Sequence, residues 1–446
     1  MKIKPFLLTL FTVSVATISV SKVSAEPQYF KVVADGLDNP RGIAFDKDGN
    51  LYVANSGSGG DGTDGRCEAS PSSGYVPLCA SSSGSVTKVA PDGTQTNVLS
   101  GFTSLGLVHA GAPADSNLDT QGAGPADIKF DDQGNAYLLT GFAGNPTLRE
   151  SLLQAPDLGK LYRVDLSTGN LTVLADMALY ETNNNPDGTD LISNPYSFVI
   201  KGDYAYVSDG GGNTLYKVAL DGSGIQQVVV VPTLSIPPDQ LQFPPQSTGT
   251  TDPGAPATGD SATGSSSTQT DDLSALSIPP GYTLTPNGPI SNQSVPTNLT
   301  IAPDGSLTLT EYTYYPFPAG KARVWKVDPD TLEFQEIATG FTQLTGDAYD
   351  KYGNLYVLEH INVPEWNSIA PGGDVIGDTS GSLIKVAPDG TRTTLLSGHG
   401  LEAASNITVG PDGDLYISNH SRFSKGQVIK INPRKLERLA RRHPQN

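Results

Sequence analysis

Sulfur and charge are scarce in this chain. Among 446 residues there are two cysteines, two methionines and two tryptophans, and Asp, Glu, Lys and Arg make up only 17%. Two cysteines cannot staple a disulfide-dense scaffold. Their spacing is not C-x-x-C and neither has a histidine nearby, which argues against redox or zinc chemistry. Outside the first 25 residues no apolar run approaches the ~20 residues a membrane-spanning helix needs. No P-loop, no strand-to-helix G-x-G-x-x-G and no G-x-S-x-G element occurs, so nucleotide chemistry and the serine-hydrolase elbow are not indicated. Basic residues are outnumbered, 28 against 46, for a formal charge of −18. That balance argues against nucleic acid and anionic membranes as partners. Long helical patterns are missing away from the two ends.

Glycine (49) and proline (34) are plentiful instead. With short runs of β-branched and aromatic residues, they predict many strands joined by turns. Residues 1–25 read as a signal peptide: Lys2 and Lys4, an apolar run, then Val23-Ser24-Ala25 as a small-residue cleavage site. Its removal, with Lys22, takes the charge from −18 to −21. The expectation is a secreted or periplasmic monomer. In that setting Cys67 and Cys79, in one Gly/Ser/Pro loop, pair as a disulfide. A loop of this size is stabilised by roughly 3 kcal/mol.

One strand–turn–strand unit recurs six times. It begins near Asn39, Gly124, Asn194, Asn298, Asp347 and Asn406, and its turns carry Asp-Gly, Gln-Gly, Gly-Asp or Tyr-Gly. Such pairs supply the positive φ of a tight hairpin. A third strand comes after each unit, over 85–90, 160–165, 214–219, 323–328, 382–387 and 427–431. A fourth comes after the first five, over 96–99, 171–175, 226–231, 333–338 and 393–396. The sixth unit lacks its fourth strand, and residues 29–34 offer a spare one. The predicted fold is therefore all-β: a six-bladed β-propeller of the NHL/TolB kind over 26–433, with four-stranded blades and the N-terminal strand closing the last one. Residues 234–290 break the period as a Pro/Ser/Thr-rich insertion without Lys or Arg, between blades 3 and 4. They read as a flexible spacer or as a lid. Residues 434–446 form a basic tail, read as a solvated, frayed helix or as a contact for an acidic surface.

The repeat places polar residues at the strand ends that surround the channel mouth. First strands supply Asn39, Asp127, Asn194, Asn298, Asp347 and Asn406; second strands supply Asn55, Thr140, Asp209, Glu311, Glu359 and Asn419. Such oxygens suit a small-molecule site or a Ca²⁺ ion, with Asp209, Glu311, Glu359, Asn55 and Asn419 as the metal set. They equally suit turn residues bonded to local backbone or water. His360 and His420 are candidate general bases, or packing residues at the loop entrance. His109, His399 and His443 have no partner at a recognisable spacing. Gly210-Gly-Gly212 reads as a loop on the mouth. Tyr196, Tyr312, Tyr314, Tyr315, Phe317 and Trp366 form an aromatic rim or pack between blades.

Several segments carry a family resemblance: Gly36-Leu-Asp-Asn-Pro-Arg-Gly-Ile-Ala-Phe45, Asn185-Pro-Asp-Gly188, Asn194-Pro-Tyr196, and Tyr315-Pro-Phe-Pro-Ala-Gly-Lys-Ala-Arg-Val-Trp-Lys-Val327. Pro388-Asp-Gly-Thr-Arg-Thr-Thr-Leu395 and Gly410-Pro-Asp-Gly413 add to it. Over roughly 30–433 the chain resembles the ScyD/ScyE family, secreted NHL-like propellers found in and beyond the cyanobacterial scytonemin cluster. The resemblance implies an exported protein that assists assembly of an extracellular pigment. It implies no catalytic residue. Two functions emerge as expectations. One is a binding or scaffold module for a small molecule or extracellular protein. The other is a Ca²⁺-dependent hydrolase or lactonase, similar in logic to gluconolactonase and paraoxonase propellers. No activity is fixed by the residues themselves.

Overall fold

The computed structural model describes residues 29–70, 77–108, 120, 122–237, 240–242, 290–369 and 375–442. Residues 1–25, read above as a signal peptide, most of the 234–290 insertion, His109, and 443–446 with His443 lie outside the described residues.

The strands form six antiparallel blades. Blade 1 holds Pro40–Phe45, Leu51–Asn55, Pro77–Val89 and Gln95–Leu107. Blade 2 holds Pro125–Phe130, Ala136–Thr140, Lys160–Asp165 and Asn170–Asp176. Blade 3 holds Pro195–Lys201, Tyr204–Asp209, Thr214–Ala219 and Gly224–Val230. Blade 4 holds Pro296–Ile301, Leu307–Glu311, Ala322–Val327 and Phe334–Phe341. Blade 5 holds Leu344–Tyr349, Leu355–Glu359, Ser380–Val386 and Arg392–Glu402. Blade 6 holds Asn406–Val409, Leu415–Asn419 and Gly426–Ile431. Its fourth strand is Lys31–Leu37, antiparallel to Gly426–Ile431 from Lys31 opposite Lys430 to Leu37 opposite Gly426. Closure by the N-terminal strand is as the leftover β segment predicts.

Local chemistry makes each hairpin. In blades 1, 2 and 5 an aspartate ends the first strand, and its carboxylate accepts backbone N–H groups across the turn. Asp46 accepts from Asp48 and Asn50, Asp131 from Gln133 and Asn135, and Asp350 from Tyr352 and Asn354. Gly49, Gly134 and Gly353 take the positive φ these turns require.

Second strands such as Leu51–Asn55, Ala136–Thr140 and Leu307–Glu311 are buried at every position. Neighbouring blades cover both their faces. Six apolar clusters fill the six blade interfaces. Ile128 and Leu138 meet Tyr52 and Val86 between blades 1 and 2, for example. The closing seam joins Ala34, Leu37 and Val428 to Ile43, Val53 and Val89. First strands adjoin one another around the axis, blade 6 against blade 1 included.

Three additions decorate the ring. The disulfide Cys67–Cys79, with Cα atoms 4.1 Å apart, staples Cys67–Ala69 to the extended third strand of blade 1. Helix α1, Met177–Asn184, comes directly after blade 2, with Asp176 accepting from the Leu179 N–H; the repeat pattern does not announce it. Helix α2, Pro433–Arg442, is the described part of the basic tail. It is not simply solvated. Leu436 is fully buried in the cluster between blades 5 and 6, and Glu437 pairs with Lys385 at 2.6 Å. The ends of the insertion, Leu234–Ile236 and Ile290–Asn292, pair antiparallel and bring its two arms together.

Candidate functional site

Ten of the twelve predicted mouth residues separate into two sets. The second-strand ends are held by their own blades or by the segments that lead into them. Asn55 Nδ2 donates to Thr87 Oγ1 at 2.9 Å. Thr140 Oγ1 donates to the Asp157 carbonyl at 2.7 Å. Asp209 accepts from Ser193 Oγ and from the N–H groups of Asn194, Gly211 and Gly212, so the triple-glycine loop is a cradle for its carboxylate. Glu311 takes a buried pair with Arg323 at 2.5 Å, plus Ser294 and Trp325. Glu359 accepts from Thr342 N at 2.8 Å. Asn419 accepts from Glu402 N and donates to the Gly400 carbonyl. The five residues read as a metal set thus lie in five blades and share no partner. They do not fit a common ion. Among the described residues no group of three His, Cys, Asp or Glu side chains is arranged for one.

Four first-strand residues do meet. Asp127, Asn298, Asp347 and Asn406 join Ser197, a residue that carries no signal in the repeat. Asn298 is the hub. Its Oδ1 accepts from Asn406 Nδ2 at 2.9 Å and lies 3.1 Å from Ser197 Oγ; its Nδ2 donates to Asp347 Oδ1 at 2.8 Å. Ser197 Oγ also lies 2.9 Å from Asp127 Oδ2, and Lys129 Nζ holds Asp127 Oδ1 at 2.8 Å. This belt links five blades across the axis. All five side chains are buried. Blade 1 contributes Gly42, where a β-carbon would fall on the Asp127 carboxylate. Burial pushes the Asp347 carboxyl well up, against the Asn298 hydrogen bond and the Lys129 charge.

Asn39 and Asn194 belong to neither set. They stand three positions before the belt position of their own strands, and each ties a neighbouring segment. Asn39 Nδ2 donates to Thr120 Oγ1 at 2.7 Å, and Asn194 Oδ1 accepts from Phe142 N at 3.3 Å.

Above the belt, Tyr196 crosses the channel from blade 3 and donates to the Ser405 carbonyl of blade 6 at 3.0 Å. Beneath the belt a wider cavity of about 430 Å³ opens beside Phe45, Lys129 and Tyr349. The upper cavity is about 60 Å³, lined by Arg41, Asn194, Tyr196, Asn406 and glycine backbone. By that measure it holds about four waters or one small polar group.

A charged group rings this upper end. Arg422 pairs with Glu365 at 2.9 Å, and Tyr312 donates to the same carboxylate at 2.6 Å. Arg41 donates to the Gly122 carbonyl at 2.9 Å. His360 is buried, with Nδ1 2.8 Å from the Ala404 carbonyl and its ring edge-on to Tyr312. Burial, then Arg422 and Arg41, pushes it down to about 3, so it is neutral. Burial, then the Glu365 charge, raises Tyr312 well above its ordinary range. Two guanidiniums against one carboxylate leave this end net positive in an acidic protein.

The other aromatic candidates pack on one another: Tyr315 on Phe317 and Phe317 on Tyr312, while Trp366 Nε1 donates to the Pro316 carbonyl. His420 lies 3.6 Å from Glu402 and His399 stacks on Tyr29. Arg41, Glu365 and Arg422 are not apparent as site residues in the sequence. Arg41 alone carries a signal there, as a cation inside the first repeat where the other units have Ala, Tyr, Thr, Gly or Ser.

No family model matches the chain, and no curated protein does. Solved structures do share similarity. A streptogramin B lyase is 11% identical, over 91% of this chain and 98% of that one, with a TM-score of 0.42. Virginiamycin B lyase from Staphylococcus aureus is 11% identical, over 91% and 99%, with a TM-score of 0.41. A glucose dehydrogenase is 13% identical, over 91% and 99%, with a TM-score of 0.44. Likeness at this level carries no activity to this chain.

Proposed function

We propose that the protein is an exported binding or scaffold module that takes the acidic or phenolic end of a small molecule in the upper mouth. The observation that carries this reading is the blind, net-positive mouth. The belt and Tyr196 floor it, and Arg41 and Asn194 supply donors. A carboxylate or phenolate arriving there would meet a guanidinium and amide N–H groups in a partly desolvated setting, where charge-assisted bonds are strongest. The resemblance to the ScyD/ScyE family supports an extracellular setting and a ligand on the way to a pigment or similar metabolite. The disulfide fits export. No helix of the described residues is long and apolar enough to cross a membrane. A Ca²⁺-dependent hydrolase gains no support from the dispersed placement of Asp209, Glu311, Glu359, Asn55 and Asn419.

The test is calorimetry against a panel of small aryl carboxylates, phenols and neutral isosteres. Wild-type protein is expected to bind an acidic member at least tenfold more tightly than its amide isostere, and Arg41→Gln is expected to erase that preference. Equal affinity for acid and amide, or an unaffected Arg41→Gln variant, would remove this reading.

A further inference from the structure

A second polar site lies away from the axis, where helix α1 meets the top of blade 3. Glu181, on the last turn of α1, is fully buried, and neither carboxylate oxygen has a hydrogen-bond partner among the described residues. Three more buried oxygens on the adjoining segments have no side-chain partner outside this group. Thr214 Oγ1 and Tyr216 OH belong to the third strand of blade 3, and both residues are fully buried. Asn185 Oδ1 belongs to the residue that caps α1, whose N–H donates to the Glu181 carbonyl at 2.9 Å. Gly212 places the side chains of Glu181 and Thr214 next to one another. A β-carbon built there would lie 3.0 Å from Glu181 Oε2 and 3.4 Å from Thr214 Oγ1.

An unpartnered buried carboxylate is costly, and leaving several oxygens unpaired together compounds the cost. The surroundings are negative. Asp209 and Asp187 are the charged groups that act on Glu181. Asp209 cannot relieve it, because its own acceptors are taken by four donors from Ser193, Asn194, Gly211 and Gly212. Asp187 is likewise held, by Thr189 and by Asn213 Nδ2 at 2.7 Å. All the orphaned atoms here are oxygens, and among the described residues no Lys or Arg acts on Glu181. A gap lined by one carboxylate and neutral oxygens, in a field of two further carboxylates, has the chemistry of a hard-cation site.

We propose that this gap binds one Ca²⁺ ion. Glu181, Thr214 Oγ1 and Asn185 Oδ1 act as ligands, and Asp187 and Asp209 provide the surrounding negative charge. The ion locks α1 and the Asn185–Thr189 turn onto blade 3. With a single carboxylate ligand the affinity belongs to the weak extracellular class, a Kd of about 10⁻⁴–10⁻³ M.

The experiment uses chelator-treated full mature chain, millimolar CaCl₂ and a thermal melt, with equilibrium dialysis of Ca²⁺ alongside. Wild-type protein is expected to hold one saturable ion per chain and to melt a few degrees higher with Ca²⁺. Glu181→Gln, which keeps the shape, is expected to fold, to lose the bound ion and to melt the same with or without Ca²⁺. Thr214→Val is expected to weaken binding about tenfold. Absence of saturable binding by the wild-type chain would overturn the proposal. So would a Ca²⁺ shift that survives Glu181→Gln. Dialysis of the wild-type protein decides the matter even if either variant fails to fold.

Discussion

At the scale of single residues, two buried groups tilt stability with pH in opposite directions. His360 has its proton affinity lowered to about 3. Its unfolded value is near 6.5, so above that pH neither state holds the proton. Below it the unfolded chain gains a proton that the folded chain refuses, and stability falls as the solution is acidified. The loss reaches about 2 kcal/mol at pH 5. Glu68 runs the other way. Buried against Gly144 and Asn145, with only the Asn145 N–H in contact, it is raised to about 7. Its contribution is complete below the unfolded value near 4.5 and drains away as pH rises through 7. Chemical denaturation across pH 4–9 is expected to show both slopes. His360→Asn should flatten the acid limb alone, and Glu68→Gln should raise stability above pH 7 while changing little at pH 4. An acid limb unchanged in His360→Asn would show that this histidine is not the group responsible. Neither environment is legible in the sequence. His360 reads there as the neighbour of a strand-end carboxylate, and only the packed fold reveals that its partners are Ala404, Tyr312 and two arginines.

At the scale of elements, the hairpins and their order are readable because each depends on local chemistry: an aspartate, a glycine at positive φ and two short apolar runs. The direction of the strand-end side chains is not. In five blades the register slips near the start of the first strand, between Pro40 and Ile43, Pro125 and Asp127, Pro195 and Ser197, Pro296 and Leu299, and Leu344 and Gly346. A bulge adds a residue and turns the rest of the strand to the other face. Asn39 and Asn194 therefore look equivalent to Asp127 and Asn298 when strands are aligned by polarity, yet they lie on the far side of the slip. Arg422 and Glu365 sit in loops that differ from blade to blade, so the repeat gives no hint of them. Helix α2 shows the same limit, because its basic composition hides an apolar anchor. Leu436 is fully buried and Leu439 packs beside it, while Arg438 is exposed. Leu436→Ala should cost about 2–5 kcal/mol in urea denaturation, whereas Arg438→Ala should stay within about 0.5 kcal/mol. Equal effects of the two would mean that the helix is not part of the folded unit.

At the scale of the whole molecule, every blade interface is an apolar cluster shared by two sheets, so no blade buries both its faces alone. Such a ring is as strong as its seam. Here the seam is the strand Lys31–Leu37, which supplies the outermost ladder of blade 6 and places Ala34 and Leu37 against blade 1. Without it, Gly426–Ile431 becomes an open edge able to pair with another chain, and the cluster around Val53 and Val428 loses one wall. The belt feels the change as well, because Asn406 reaches Asn298 only while blade 6 stays docked. A chain shortened to begin at Asp38 is therefore expected to lose at least about 5 kcal/mol, from one buried leucine and several ladder hydrogen bonds. It should also replace a single unfolding transition by a broad one and form oligomers in sedimentation. The upper cavity, built from blades 1, 2, 3 and 6, should lose ligand affinity in parallel. If the shortened chain instead remained monomeric and melted cooperatively at the original temperature, the N-terminal strand would be an ornament on a ring held shut by its first strands alone.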